Sequence, residues 1–496
     1  MTAEQLNQGL WAILPEILLF VLAAIVIGVD LIQRGQNRRA LGWLSIVGVI
    51  GVLVLVVFQT APMVTSNATY DPFFSGMIRI DLTVQLFRIM FLVAAALTCL
   101  ISLDFKPMKQ SSEYYALVLF GTLGMGLMAA SNNILMLYLS LETTSICLYM
   151  LAGFMRDTRP STEAGMKYFL FGAFTSTIML YGLSLLFGFT GQTTYAGVSA
   201  GLSKLVAAQQ TLPVMVALVL VLVGFGFKVA AVPFHMWTPD VYEGAPTPIT
   251  AFISVASKAA GFAVLIRFFL LVFGSVQDQW VGLIAALAVV TMTLGNVLAI
   301  SQKNIKRMLA YSSIGQAGYV LIGVAAVGTL GTASVLFYLA AYVLTNIAAF
   351  AVVEVVTNTT GSELIKDMAG FSRKSPAVSF GLLAAMLSLA GVPPLAGFFG
   401  KFYVFNAAVG YTDVAGQHSL VWLAIIGVLN SIVALYYYLI ILKVVYVDRS
   451  EGDTTEVQVS GTLKIGLLIA SIGMLVMGII ATPWYDLATQ AAKLLH

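Results

Sequence analysis

The chain has 496 residues, of which 59% are hydrophobic and only 9% charged, where a soluble domain carries about 25% charged residues. Water is therefore not the solvent for most of its surface. The formal net charge of +3 gives no reason to expect a nucleic-acid partner, and the informative question is where the few charges sit.

Beyond the composition, several site classes can be set aside. Cys99 and Cys147 lie inside apolar runs and read as small hydrophobes, with no Cys/His spacing for a metal or cluster. His235, His418 and His496 are too scattered to form a metal site. No Gly-x-Gly-x-x-Gly follows a strand and no Walker sequence is present, so neither nucleotide nor flavin is expected here. The apolar run from Leu10 to Leu31 lacks a basic preceding region and a small-residue cleavage pattern, and reads as a retained first helix.

A membrane-spanning helix needs about 20 mostly apolar residues. In chain order the pattern predicts spans at 9–31, 41–60, 82–103, 113–130, 133–154, 164–189, 212–236, 247–273, 279–300, 307–328, 332–357, 376–408, 418–446 and 462–482. The expected fold is an all-α polytopic membrane protein of about fourteen transmembrane helices. Loop charges test the count. Arg34, Arg38 and Arg39 follow span 1; Lys106 and Lys109 follow span 3; Arg156 and Arg159 follow span 5. Lys303, Lys306 and Arg307 follow span 9; Lys366, Arg373 and Lys374 follow span 11; Arg449 follows span 13. Each basic loop comes after an odd-numbered span, so the positive-inside rule places both termini on the outer side. The loop after span 7, with Asp240 and Glu243, is the exception. Loops are short, leaving no room for a soluble catalytic domain, and no long helical extension follows span 14.

Ionisable residues within spans cost about 2.5–3.5 kcal/mol each on insertion scales and mark function by default. Glu142 sits in the middle of span 5, Lys167 near the start of span 6, Lys228 in span 7, Lys258 near the centre of span 8 and Lys401 in span 12. Burial disfavours the ammonium form of a lysine and a nearby carboxylate restores it, so a Glu/Lys set in a dry interior can switch protons. A static ion pair is the plain alternative for one such pair. One carboxylate with four lysines fits it poorly, because each unpaired ammonium destabilises the fold.

Two spans carry a second signal. Gly224-Phe225-Gly226-Phe227-Lys228 runs on to Pro233-Phe234-His235, and Gly391-Val392-Pro393-Pro394 runs on to Gly397-Phe398-Phe399-Gly400-Lys401. Proline beside glycine predicts two discontinuous helices, tolerated in a bilayer only where they face protein or a wet cavity. The shared Gly-Phe-x-x-Lys hints at an internal repeat of roughly five helices. His235 is read equally as a proton relay or a helix-end cap. Tyr311, Ser312 and Ser313 in span 10 could hold water between the halves, but serines in membrane helices are expected mostly to bond their own helix backbone. Asp81, Arg88, Arg267, Glu354 and Lys443 are expected to snorkel from span ends.

These residues carry a resemblance. The run Pro233 to Pro248, including Pro239-Asp240-Val241-Tyr242-Glu243-Gly244, the run Lys306 to Tyr319 and the stretch Pro393 to Lys401 resemble the subunit N branch of the antiporter-like membrane subunits of complex I-type NADH–quinone oxidoreductases. The resemblance covers nearly the whole chain. It implies two inverted five-helix repeats, spans 4–8 and 9–13, and thus one membrane domain over 1–496. Within it lie N-terminal helices at 1–110, a first repeat at 111–275, a second at 276–447 and a C-terminal helix at 448–496. It implies a proton path through Glu142, Lys228, Lys258 and Lys401, with Lys167 beside Glu142; Lys401 is informative because a sister subunit has Glu there. It also implies that the chain carries no cofactor of its own. FMN, iron–sulfur clusters and quinone belong to partner subunits, and the partners include sister antiporter-like subunits and the lipid of a bacterial inner or thylakoid-like membrane. Subunits of sodium–proton antiporters and membrane-bound hydrogenases share the fold, photosynthetic-type relatives with ferredoxin as donor share the motifs, and an assembly scaffold is the alternative from another class.

Overall fold

The computed structural model describes residues 3–33, 38–66, 73–105, 111–412, 419–449, 457 and 459–495. Arg34, Lys106 and Lys109, three of the loop cations used above, and His418 and His496 lie outside the described residues.

The path begins with a short helix, α1 (Ala3–Ala12), that leads into α2 (Leu14–Gln33), and α3 (Arg38–Ser66) and α4 (Leu82–Ser102) complete the N-terminal group. Next come α5 (Ser112–Ala130), α6 (Ile134–Ala152), α7 (Arg159–Thr190), the short α8 (Tyr195–Ala207), α9 (Thr211–Val229) and α10 (Trp237–Gly244). A further span is built from α11 (Thr247–Phe252), a π turn at Ile253–Ser257 and α12 (Lys258–Val272). Then follow α13 (Gln277–Ile300), α14 (Ile305–Ala325), α15 (Thr329–Thr360) and the four-residue α16 (Phe371–Lys374). The chain ends with α17 (Pro376–Ala390), α18 (Ala396–Val409), α19 (Val421–Tyr446), α20 (Gly461–Ile479) and α21 (Ala481–Lys493).

Among the described residues, 13 helices are long and apolar enough to cross a membrane. The remaining predicted span, the twelfth at 376–408, is met by α17 and α18 in series, of 15 and 14 residues, neither long enough alone. The spans differ in burial. Those of α11–α12, α14 and α15 are 89%, 94% and 89% buried and form the interior, whereas α2, α3, α7 and α19 are 33–39% buried. The outer helices turn Phe58, Phe174, Leu429 and Ile432 outward, an apolar exterior suited to lipid and not to water.

Both breaks follow from backbone chemistry. Gly391 adopts a left-handed conformation (φ +89°) and its N–H returns to the carbonyls of Leu387 and Ser388, closing α17. Pro393 and Pro394 have no N–H to continue the helix. A side chain at Gly397 would lie 1.9 Å from the Ser388 carbonyl, so glycine lets α18 restart directly against the end of α17. The earlier break ends α9 at Val229, seven residues before the predicted limit of 236. Ala230 takes φ +60°, a strained choice for a residue with a Cβ. The Trp237 indole N–H donates to the Phe227 carbonyl at 3.2 Å, satisfying an oxygen freed by the break.

Two helices approach backbone to backbone. A Cβ on Gly295 of α13 would lie 2.5 Å from the Gly315 nitrogen of α14, and one on Gly318 would lie 2.5 Å from the Met292 nitrogen. Small residues at such crossings are the rule in membrane bundles.

The snorkelling expectation fails for four of five residues. Asp81 and Arg267 form an ion pair of 2.7 Å with side chains 1% and 3% exposed. Glu16 and Arg88 form another of 2.8 Å, at 6% and 2%. Glu354 is completely buried. Only Lys443, 67% exposed, reaches outward. The interior supplies partners that make snorkelling unnecessary: Asp81 caps α4 by accepting the Val84 N–H while holding Arg267 with its other oxygen.

Candidate functional site

Three lysines predicted within spans are buried, Lys228 at 3%, Lys258 at 3% and Lys401 at 5% exposure. Each ends on neutral oxygen. Lys228, in the last turn of α9, donates to Ser145 Oγ on α6 at 2.6 Å. Lys258 follows the π turn and donates to the carbonyl and Oγ of Ser313 on α14, at 2.6 and 2.5 Å. π turns often mark functional sites because they re-aim the next side chain. Lys401 on α18 donates to the Ala390 carbonyl at 3.0 Å, one of the acceptors left open by the break in span 12, and stands 4.7 Å above the Tyr319 ring.

Glu142 is half-buried on α6, one turn before Ser145. Its Oε1 has no hydrogen-bond partner, and no ion pair joins it to Lys228 among the described residues. Ser145, three residues further along α6, is the acceptor for Lys228.

Between Lys258 and Lys401 the interior is polar. Ser312 bonds the Tyr438 hydroxyl, and Gln316 donates to the same hydroxyl at 3.1 Å and to the Leu389 carbonyl at 3.0 Å. The Tyr338 hydroxyl donates to Gln316 Oε1. Asn296 donates to the Tyr319 hydroxyl at 2.9 Å and accepts from Tyr437 at 3.0 Å. This corrects the expectation that Ser312 and Ser313 bond their own backbone; an ammonium and a phenol compete better for hydroxyls at helix crossings. Gln316 and Asn296 were missed, though an amide inside a predicted span was the available signal.

Lys167 lies elsewhere. Its side chain is 37% exposed and pairs with Asp240 at 2.6 Å and Glu163 at 2.8 Å, so it is not beside Glu142. Two turns from the start of α7, it faces a cavity of about 640 Å³ also lined by Glu243, Lys306, Arg307 and Glu363. Arg307 bridges Asp240 at 2.7 Å and Glu243 at 2.9 Å, and Lys306 pairs with Glu363 at 3.0 Å. The acidic loop after span 7 is thus neutralised by cations from α7 and α14. Burial works against the charge on Asp240, but the hydrogen bonds from Lys167 and Arg307 outweigh it and hold the carboxyl below its ordinary value. A depressed carboxyl contributes stability above its unfolded value, near 3.9, and loses it as pH falls through the folded value. Asp240→Asn should flatten the acid limb of thermal stability in the purified protein by no more than about 1 kcal/mol, because the network is partly exposed. His235, between α9 and α10, is half-buried, and burial holds its imidazole below the ordinary value.

The family model described as NADH:quinone oxidoreductase/Mrp antiporter, TM, matches residues 131–433, a stretch holding Glu142, Lys228, Lys258 and Lys401. The chain is 42% identical to NADH-quinone oxidoreductase subunit N of Trichlorobacter lovleyi, over 97% of each chain. The chain belongs to the NADH-quinone oxidoreductase subunit N family. It is also 41% identical to NAD(P)H-quinone oxidoreductase subunit 2 of Synechocystis sp., over 99% of this chain and 94% of that one. A chain of respiratory complex I from Thermus thermophilus superposes with a TM-score of 0.78 at 30% identity, covering 96% of this chain and 99% of that one. The subunit N match spans both broken helices and the polar interior between them.

Proposed function

We propose that this chain is the proton-translocating membrane-arm subunit of a bacterial NADH–quinone oxidoreductase of the complex I type. The observation that carries the mechanism is that Lys228, Lys258 and Lys401 are each buried against neutral oxygens, with Glu142 as the carboxylate beside the first. An ammonium held only by hydroxyls and carbonyls gives up its proton at far less cost than one locked to a carboxylate. Electron transfer from NADH to quinone belongs to partner subunits carrying FMN and iron–sulfur clusters. Its energy reaches Glu142 as a change of field or conformation. Lys228 then responds to Glu142, protons pass to Lys258, and the Ser312–Tyr438–Gln316 network carries them toward Lys401 and out. Spans 4–8 and 9–13 act as two halves, each with one broken helix. Lys167 serves the charged cavity, which lies on the cytoplasmic side if both termini are periplasmic, and His235 acts at the break after α9 as a relay or a cap.

The test is gentle purification of the tagged chain from native membranes, with mass spectrometry of its partners and an NADH-driven quinone reduction assay. Flavin and iron–sulfur subunits together with NADH-driven activity are the expected result. The same partners without NADH activity would point to a ferredoxin-type donor, and recovery with polytopic subunits alone would replace this reading by a cation antiporter.

A further inference from the structure

Beside the lysine row and the buried ion pairs, one completely buried carboxyl has no partner among the described residues. Glu354 lies in α15 with no exposed surface, and neither carboxylate oxygen has a hydrogen-bond partner. No ion pair reaches it among the described residues. Among the described residues, the titratable groups that act on it are Asp104, after α4, and Tyr114, on α5, and neither is a cation. Asp104 is itself engaged by Arg39 through its other oxygen. An ionised carboxylate without a partner costs several kcal/mol in such a place, so a purely structural role would favour an apolar residue here.

Its position on the helix gives it a use. Thr357 lies one turn further along α15, lines the charged cavity, and has a buried hydroxyl without a partner. Three residues of helix rise are about 4.5 Å, so Glu354 sits one turn beneath the cavity. In the other direction, steps of four residues along the same face lead through Phe350 to Asn346 and Tyr342. Asn346 donates to Ser254 in the π turn before Lys258, at 2.6 Å. Phe350 supplies the apolar gap, in ring contact with Tyr242, whose hydroxyl bonds Ser313 at 3.3 Å. One face of α15 thus runs from the cavity, through an orphan hydroxyl and an orphan acid, to the groups that hold Lys258.

We infer that Glu354 is a proton-loading site, taking a proton from water in the charged cavity and passing it along α15 toward the neutral amine of Lys258. Only a proton moves: the carboxylate becomes the acid, then returns to carboxylate as the amine becomes ammonium. The role in pumping rests on the reading under Proposed function; protonation of Glu354 does not.

The experiment is infrared difference spectroscopy of the intact purified complex in H₂O and D₂O, paired with proton uptake during NADH oxidation. A protonated-carboxyl band absent from Glu354→Gln is expected. Thr357→Val, which keeps the acid and removes its hydroxyl link, should retain the band and slow its deuterium exchange. Glu354→Gln should slow proton uptake roughly tenfold, more so as pH rises and protons become scarce. Absence of an assignable band, or unchanged uptake across the pH range in both Glu354→Gln and Glu354→Leu, would overturn the proposal. Loss of redox-coupled uptake in the unmodified complex would instead count against the functional reading and leave the infrared result standing.

Discussion

Replacing Lys401 by methionine is expected to lower proton transport through this subunit by roughly tenfold or more, a barrier increase of at least about 1.4 kcal/mol. Methionine is unbranched and apolar and can fill the space over Tyr319 and against Gly391, where a Cβ would already approach the lysine Cδ within 2.9 Å. The helix break should survive and only the exchangeable proton be lost. Arginine separates charge from transfer. It keeps the positive charge but does not deprotonate in proteins, so a relay fails with Lys401→Arg as it does with Lys401→Met. A static cation holding the Ala390 carbonyl would be largely rescued by arginine. Protons moved per electron, measured in membrane vesicles, decide the matter; an unaltered ratio in Lys401→Met would remove Lys401 from the path.

Glu142→Gln is expected to leave the complex assembled and to reduce pumping per electron several-fold, as a perturbation of a few kcal/mol at a coupled site does. Glutamine preserves size and shape, and the free Oε1 shows that no hydrogen bond would be broken at that atom. What disappears is the ionisable carboxyl one turn from Ser145, the acceptor of Lys228. Native electrophoresis and proton-to-electron ratios read the two consequences separately. Lower complex content with unchanged pumping per electron would support the scaffold alternative.

Both substitutions probe features that are legible in the sequence. Lys401 and Glu142 were visible because a charge in the middle of an apolar run has few innocent explanations. The span 12 break was equally visible, since Gly391, Pro393 and Pro394 cannot continue a helix. Residues near span ends were harder. Asp81 and Arg267 are separated by 186 positions, and hydropathy along the chain says nothing of which span end meets which. Each alone is compatible with a side chain reaching for water. Lys167 shows the same limit: its place near the start of a span was right, but its partner was set by α10 folding back after an early end to α9. Ser313 was misread because local backbone bonding is the default for a hydroxyl, and only the fold brings Lys258 to it. Glu354 went unrecognised for the reverse reason, as nothing in Val352-Val353-Glu354-Val355-Val356 tells a buried acid from one at a membrane surface.

The glycine crossing of α13 and α14 bears on how energy can arrive from a distant reaction. Where two backbones touch without side chains between them, no soft layer exists in which one helix could slide past the other. A side chain larger than hydrogen at Gly295 or Gly318 would run into the facing main chain. The compliant parts are instead long amines and hydroxyl rotors. This region behaves less like a lever than like an insulator with a few switchable contacts, and a subunit built so can relay a signal along the membrane while its frame stays still.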